Sequence, residues 1–400
     1  MKIQIPEGAK KIMEQLNAHG FEAYVVGGCV RDSLLGRTPE DWDITTSAKP
    51  EAVKAVFKRT VDTGIQHGTV TVLLNKETYE VTTYRIDGEY EDARHPKTVE
   101  FTGNLLEDLK RRDFTINAMA YSDRDGLVDA FGGEMDLEQG VLRCVGNARD
   151  RFTEDALRIL RAVRFSAQLG FEIEEETKKA ISAIAPNLEK VSKERVAAEL
   201  TKLLLSDHPE RIEAVFGYGM GAYVSPHFEG AGKRLSHTEK LRLLAPQKHM
   251  RWAGFLRKET APNASCILRE LKLDNDTINK TKTLVGLWKA EIPARKPDIR
   301  RVMSGLPDGL FWDFIDFQKI YCKKNQEETL KLVERYAKEI TESGDCIRLK
   351  DMAVTGKDLL EAGRKPGPEI GTVLNALFQE VLQFPEHNNK DYLMNLAEKL

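Results

Sequence analysis

Cysteine is scarce in this chain of 400 residues, and its placement forms no pattern. The five cysteines, at 29, 144, 266, 322 and 346, are odd in number, widely spaced and contain no C-x-x-C pair. That argues against disulfides and against a zinc site, and for reduced thiols in a cytoplasm. No apolar run approaches the roughly 20 residues that a membrane-spanning helix needs. The opening stretch MKIQIPEGAKKIMEQL lacks an apolar signal core and reads as an ordinary first helix. There is no tandem repeat and no low-complexity tract.

What is present describes a charged, folded protein. Apolar residues make up 41% and charged residues 31% of the chain, and its length calls for two to four domains. The net charge of -3 conceals an asymmetry. Residues 1–150 carry 19 Lys and Arg against 26 Asp and Glu, while the remainder carries 41 against 37. An acidic front and a mildly basic back fit a catalytic head on a polyanion-binding body, though ordinary surface variation produces the same difference.

Up to about residue 145, helices alternate with short β-rich runs: AYVVGG, DWDIT, TVTVLL and TYEVTTYR. From residue 150 on, strand signals nearly vanish and segments such as RILRAVRFSAQLG and KERVAAELTKLLL have helical period. The reading is an α+β head followed by an all-helical remainder. Glycine and proline clusters near 216–233, 292–308 and 364–369 mark joints.

The stretch YVVGGCVRDSLLGRTPEDWDITT concentrates the chemistry. In a strand, Asp41 and Asp43 project from one face while Trp42 and Ile44 turn inward. Two adjacent carboxylates repel unless a divalent cation neutralises them, and hard oxygen ligands suit magnesium bridging a triphosphate. An isolated D-x-D is ordinarily a strand-edge pair facing water. Here Gly27 and Gly28 precede a helix whose first-turn amides, with Arg31, suit an anion. Glu80, on another predicted strand, serves equally as a third carboxylate or as a solvent-facing residue.

GG-x-x-RD-x-LLGR-x-x-x-D-x-D resembles the signature of the DNA polymerase β-type nucleotidyltransferases, specifically the class II tRNA nucleotidyltransferases (CCA-adding enzymes) and the related bacterial poly(A) polymerases. The resemblance is ordered over residues 21–200 and then thins to tail motifs. It implies a nucleotidyltransferase head at 1–148, a nucleotide-selecting neck at 149–205, and tRNA-binding body and tail at 206–300 and 301–400. It also implies catalysis by Asp41 and Asp43 as magnesium ligands, with Gly28 and Arg31 at the nucleotide. RRDFT-x-NA matches in full, which carries Arg112, Asp113 and Asn117 over to the nucleotide site, with Asp113 capping a helix from Phe114. Asp129, Gly132, Gly133 and Asp136 match a third motif and read as structure. The polar stretch at 87–96 resembles the loop linked to addition of the final A, although any exposed hairpin tip has similar composition.

TEDALRILRAVRF is expected to form one helix with Thr153 as its N-cap and Arg158, Arg161 and Arg164 on the face opposite Ile159, Leu160 and Val163. Asp155 and Arg158 have a plain reading as a surface salt bridge. They have a sharper one in base recognition. Cytosine and adenine both offer an exocyclic amino donor beside a ring-nitrogen acceptor, matching Asp155 and Arg158, whereas uracil and guanine reverse the pattern. The family motif E-D-x-x-R matches Glu154, Asp155 and Arg158, and Arg161 and Arg164 would extend that face toward the triphosphate. Lys193, Glu194 and Arg195 read as braces of the neck. RWAGFLRKE and KPDIRRVM offer basic residues for RNA backbone, and Gly356, Gly363 and Gly367 are either phosphate approaches or helix caps.

The expectation is a cytoplasmic enzyme that adds CMP from CTP twice and AMP from ATP once to tRNA. A homodimer is compatible with the sequence. Poly(A) polymerase and partial CC- or A-adding activity are the near alternatives, and a non-catalytic RNA-binding protein is the distant one.

Overall fold

The computed structural model describes residues 2–88 and 99–400. The chain divides into two compact units, Met1–Arg242 with Cys266–Leu273, and Leu243–Ser265 with Asp274–Leu400.

The first unit begins with α1 (Glu7–Ala18), whose buried Ala9, Ile12, Met13 and Leu16 recur at helical spacing and pack on β1 (Ala23–Val26). Then come α2 (Gly28–Leu34), β2 (Ile44–Thr46), α3 (Pro50–Val56), β3 (Thr60–Gly64), β4 (Thr69–Leu74), β5 (Glu77–Thr83), β6 (Arg85–Asp87), β7 (Val99–Phe101), α4 (Leu105–Lys110), β8 (Met119–Ser122), β9 (Gly126–Asp129), α5 (Gly133–Gln139) and β10 (Val141–Leu142). Seven strands form one mixed sheet in the order β3-β4-β5-β2-β1-β8-β9, with only β2 and β5 parallel. β1 lies inside the sheet and is buried on both faces, which is why AYVV is apolar without alternation. Tyr24 and Val26 share a core cluster with Tyr84, Leu105, Leu109 and Ala120.

Helices follow: α6 (Ala148–Glu154), α7 (Leu157–Leu169), then β11 (Glu172–Ile173), α8 (Glu175–Ile184), α9 (Lys193–Leu204), α10 (Glu213–Gly217), α11 (Gly221–Val224) and α12 (Pro226–Gly232). α7 packs on α9, α6 packs on α8, and β10 pairs with β11. Two local expectations are corrected. Thr153 does not cap a helix; it lies within α6, its hydroxyl donating to Arg149 O at 2.8 Å, and Asn147 is the cap. The chain instead breaks at Asp155, whose extended backbone (φ -139°, ψ 102°) ends α6 before α7 starts. Nor does a helix run from Phe114. That residue is extended and fully buried, and only a single 3-10 turn, Thr115–Asn117, separates it from β8.

The remaining helices are α13 (Lys248–Leu256), α14 (Ala261–Glu270), α15 (Asn275–Leu287), α16 (Lys296–Gly305), α17 (Leu310–Tyr321), α18 (Glu327–Glu342), α19 (Gly356–Glu361), α20 (Pro368–Gln383) and α21 (Lys390–Ala397). Val373, Leu377, Val381 and Leu393 centre one core of the second unit. Three arginines expected to face RNA are buried here. Arg251 donates to the Leu244 carbonyl, Arg257 to that of Gly254, and Arg300 to Asp345 and the Leu382 carbonyl. They satisfy helix-end carbonyls inside the unit, as buried guanidinium groups must. Gly363, at a left-handed φ of 93°, closes α19 as a helix-terminating glycine.

The five cysteines are unpaired, and no described helix is long and apolar enough to cross a membrane. The 87–96 loop lies, from residue 89 onward, outside the described residues.

Candidate active site

β1 ends in a turn that only glycine accommodates. Gly27 has φ 78°, and a Cβ there would stand 2.9 Å from Arg112 Nη1. Its N–H donates to Met119 O at 3.0 Å, and Gly28 opens α2. Bare backbone therefore lets the Arg112 guanidinium lie against the turn. Arg112 Nε is itself buried without a hydrogen-bond partner, while Nη2 reaches Asp108 at 3.4 Å. Asp108 is wholly buried and also takes two bonds from Arg111.

Asp41 and Asp43 stand immediately before β2. The Asp43 carbonyl accepts the Val26 N–H at 3.0 Å, which continues the pairing with β1. On the other side β2 runs parallel to β5 with Ile44 opposite Val81. One step back along both chains, Asp43 stands level with Glu80. Ile44 and Val81 are fully buried, so the period of two turns Asp43 and Glu80 away from the core together. The Asp43 carboxyl is held above the usual carboxylate range, first by loss of hydration and then by Glu80; Arg112 opposes this, and Asp41 adds to it. Since Asp43 as a residue is solvent-exposed, the like charges are the part of the shift that a bound cation relieves. Asp41, Asp43 and Glu80 make no ion pair or side-chain hydrogen bond among the described residues. Asp43 feels the charge of both Glu80 and Asp41, and carboxylates that repel one another in this way suit a divalent cation.

A hydrogen-bonded chain ties this corner to the neck. Arg31 is bound along its edge by Asp32 (2.8 and 2.9 Å), and its Nη1 donates to Asn117 Oδ1 at 2.7 Å. Asn117 Nδ2 donates to Asp113 Oδ1 at 3.3 Å, and Asp113 Oδ2 accepts from Arg161 Nε at 2.8 Å. Burial alone would raise the Asp113 carboxyl, but Arg161 and then Arg158 overcome it and bring the pKa down to about 2. Arg31 and Arg161 also lie over the Phe165 ring, at 5.1 and 5.3 Å. α2, the turn after Asp113 and α7 are thus held in one arrangement.

At the break before α7, Asp155 and Arg158 do not pair with each other. Asp155 accepts the Leu157 N–H at 3.1 Å and is gripped by Arg195 of α9 at 2.7 and 3.3 Å. Arg158 donates to Glu154 at 2.7 Å, to Arg151 O at 2.9 Å and to Arg111 O at 3.1 Å. Glu154 also holds Arg151 at 2.5 Å. Arg164, expected to extend this face, is turned into α9. It is buried, ion-paired with Glu199 and stacked over Phe165 at 3.8 Å. Six residues on from Arg158 is about 240° around the helix, enough to carry Arg164 to the packed side.

Arg195 ties α9 to Asp155 and so braces the neck as its sequence suggests, but nothing local to KER marks Asp155 as its partner. Asp108, which holds Arg111 and Arg112, carries no signal in the sequence. The third motif is structural, as expected. Asp129 caps the start of α5 through Gly133 and Glu134, and Asp136 joins the Thr115 hydroxyl (2.6 Å) to Arg143.

A hard-oxygen seat beside arginines and a glycine turn, on a mixed sheet of this order, defines a nucleotidyltransferase, a class that uses divalent metal ions. Residues 23–143 match the family model for the poly A polymerase head domain. Residues 170–231 match "Probable RNA and SrmB- binding site of polymerase A", and 246–397 match tRNA nucleotidyltransferase domain 2. The CCA-adding enzyme of Leuconostoc citreum is 38% identical over 98% of this chain and 96% of its own length. That of Enterococcus faecalis is 36% identical over 98% and 95%. The crystal structure of the Bacillus stearothermophilus CCA-adding enzyme in complex with CTP superposes with a TM-score of 0.85, at 32% identity and 99% coverage of both chains. The chain belongs to the CCA-adding enzyme family.

Proposed function

We propose that this protein builds and repairs the 3′-terminal CCA of tRNA, taking CMP from CTP and AMP from ATP without a nucleic-acid template and releasing pyrophosphate. The observation that carries the reading is the separate anchoring of Asp155 by Arg195 and of Arg158 by Glu154. An acceptor and a donor fixed in this way suit the amino group and ring nitrogen shared by cytosine and adenine, and leave uracil and guanine with unmatched groups. Arg112, beside the glycine turn, supplies positive charge and a free donor for phosphate oxygens. Arg31, clamped by Asp32 and Asn117, keeps that turn and the Asp113 network in register. Asp41 and Asp43, with Glu80 as third carboxylate, are the residues to hold magnesium. When bound, magnesium would activate the tRNA 3′-hydroxyl and neutralise charge on the departing pyrophosphate. In this division of labour the head (1–148) does the chemistry, the neck (149–205) selects the nucleotide, and body and tail (206–300 and 301–400) hold tRNA. Five unpaired thiols support a cytoplasmic place of work.

The test supplies tRNA lacking its 3′ end with each labelled nucleotide in turn. Incorporation of two C and then one A, with no U or G, is expected. Long A tails, or growth that stops after CC, would overturn the full CCA assignment. Shortening the 87–96 loop should spare C addition and depress the final A, because switching from C to A requires the site to adapt to a larger base. Equal loss of both would give the loop a purely structural role.

A further inference from the structure

Away from the carboxylates and the neck network, α12 and α14 bring three different metal-ligating side chains to one point. Cys266 and Glu270, four residues apart on α14, stand one above the other on the same face. His227, at the start of α12, reaches them from the neighbouring helix. Its Nδ1 lies 2.7 Å from Glu270 Oε1 and 3.9 Å from Cys266 Sγ, and that sulfur lies 3.6 Å from the same Oε1. Glu270 Oε2 is buried, with the Ser225 side chain beside this carboxylate.

The arrangement is wrong for a nucleophile. A Cys–His–carboxylate relay needs the thiol and the carboxylate on opposite ring nitrogens, so that the imidazole can take a proton at one and be oriented at the other. Here both address Nδ1. Convergence of sulfur, nitrogen and oxygen on a common point is what a coordinated cation requires. We propose that His227, Cys266 and Glu270 form a binding site for a divalent metal of the zinc class, with the fourth position left to water.

The distances allow it. Zn–S of about 2.3 Å and Zn–N and Zn–O of about 2.0–2.1 Å in a tetrahedron set ligand–ligand separations of roughly 3.3–3.6 Å. Relative to the observed 2.7, 3.9 and 3.6 Å, each separation changes by no more than about 0.6 Å. His227 is half exposed and free to make most of that adjustment. One thiolate, one imidazole and one carboxylate select against magnesium and calcium, which prefer all-oxygen sets, and suit zinc.

The site's place in the fold gives it a role. Just before α12, the carbonyls of Tyr223 and Val224 accept from Lys193. Just after α14, Lys272 pairs with Glu194 at 2.7 Å. Both contacts are made to the first turn of α9, next to Arg195, which grips Asp155. A metal joining α12 to α14 would therefore lock together the two segments that flank that turn.

The experiment uses the reduced full chain, stripped with chelator and titrated with Co(II) as a spectroscopic stand-in for zinc. Expected is a thiolate-to-cobalt charge-transfer band in the near ultraviolet at one equivalent, displaced by Zn(II). The Asp41, Asp43 and Glu80 oxygens cannot produce that band, so the two sites are distinguishable, and the outcome is independent of the proposed activity. Cys266→Ser should abolish it and weaken Zn(II) binding by at least about 100-fold, with the circular dichroism of the free protein unchanged. Cys322→Ser, the other half-exposed cysteine, should leave both intact. His227→Ala, on the protein surface, gives a second reading and should remove the rise in Tm that Zn(II) produces in the wild type. Absence of the band at stoichiometric Co(II), or its survival in Cys266→Ser, would overturn the proposal.

Discussion

Removing the Arg195 side chain isolates the claim that Asp155 reads the base only when it is held. In Arg195→Ala, Asp155 loses two charge-assisted bonds of 2.7 and 3.3 Å and keeps only the Leu157 N–H at 3.1 Å. The pair is intermediate in exposure, 23% for Arg195 and 17% for Asp155. A surface pair is worth about 0–1 kcal/mol, and breaking a fully buried one costs about 3–5 kcal/mol. A value of about 1.5–3 kcal/mol suits this position. If that energy is used to orient Asp155 in the transition state, kcat/KM should fall roughly ten- to a hundredfold. CTP and ATP should suffer together, because the same carboxylate meets the amino group of each. Exclusion of UTP and GTP should weaken as the carboxylate wanders from the position where it opposes their carbonyls. Arg195→Lys keeps the charge without the two-pronged geometry and should recover only part of the loss. The assay is single-nucleotide incorporation into matched tRNA acceptors with all four nucleotides, beside thermal unfolding of each variant. A drop in Tm with CTP and ATP efficiencies within twofold of wild type would refute the argument and leave Arg195 a brace. Loss confined to one nucleotide would refute it too.

Other outcomes follow from the same geometry. Asp41→Ala and Asp43→Ala should each abolish C and A incorporation while filter binding of tRNA stays near wild type; near-normal transfer by either would remove it from the metal seat. Asp113, with its pKa lowered to about 2 from 3.8, contributes about 2 kcal/mol of stability. That contribution is complete above the unfolded pKa and is lost as pH falls through the folded one. Arg161→Met leaves this carboxylate buried and short of its main partner, so urea unfolding should show a loss of about 3 kcal/mol at pH 7. The gap should close toward pH 2, and a gap independent of pH would count against the pair. Gly27→Ala must place a side chain at φ 78° and 2.9 Å from Arg112. It should cost about 1–3 kcal/mol and raise the KM for both nucleotides, whereas an unchanged KM would separate Arg112 from the phosphates.

What could be read from the residues alone is what depends on neighbours in the chain. The apolar strand, the glycine turn, the helix that follows and the Asp41–Asp43 pair lie within a few residues of one another, so backbone geometry alone relates them. Periodicity likewise separated an α+β head from a helical remainder, and placed Arg158 and Arg161, though not Arg164, on the side of α7 away from Ile159, Leu160 and Val163. It could not tell what packs on that side. A repeat of 3.6 names a face, but the partner of that face is chosen by another helix arriving from elsewhere in the chain. Arg195 reaches Asp155 across 40 residues, and Glu199 draws Arg164 inward across 35. Glu80 meets Asp43 only because β2 and β5 pair in parallel with one register. Arg251, Arg257 and Arg300 read as surface charge until the fold enclosed them with carbonyls and Asp345. His227 lies 39 residues from Cys266, so no spacing rule links them. The charges were legible residue by residue; their partners were decided by packing, where burying apolar faces brings distant polar groups within bonding distance and leaves them to satisfy one another.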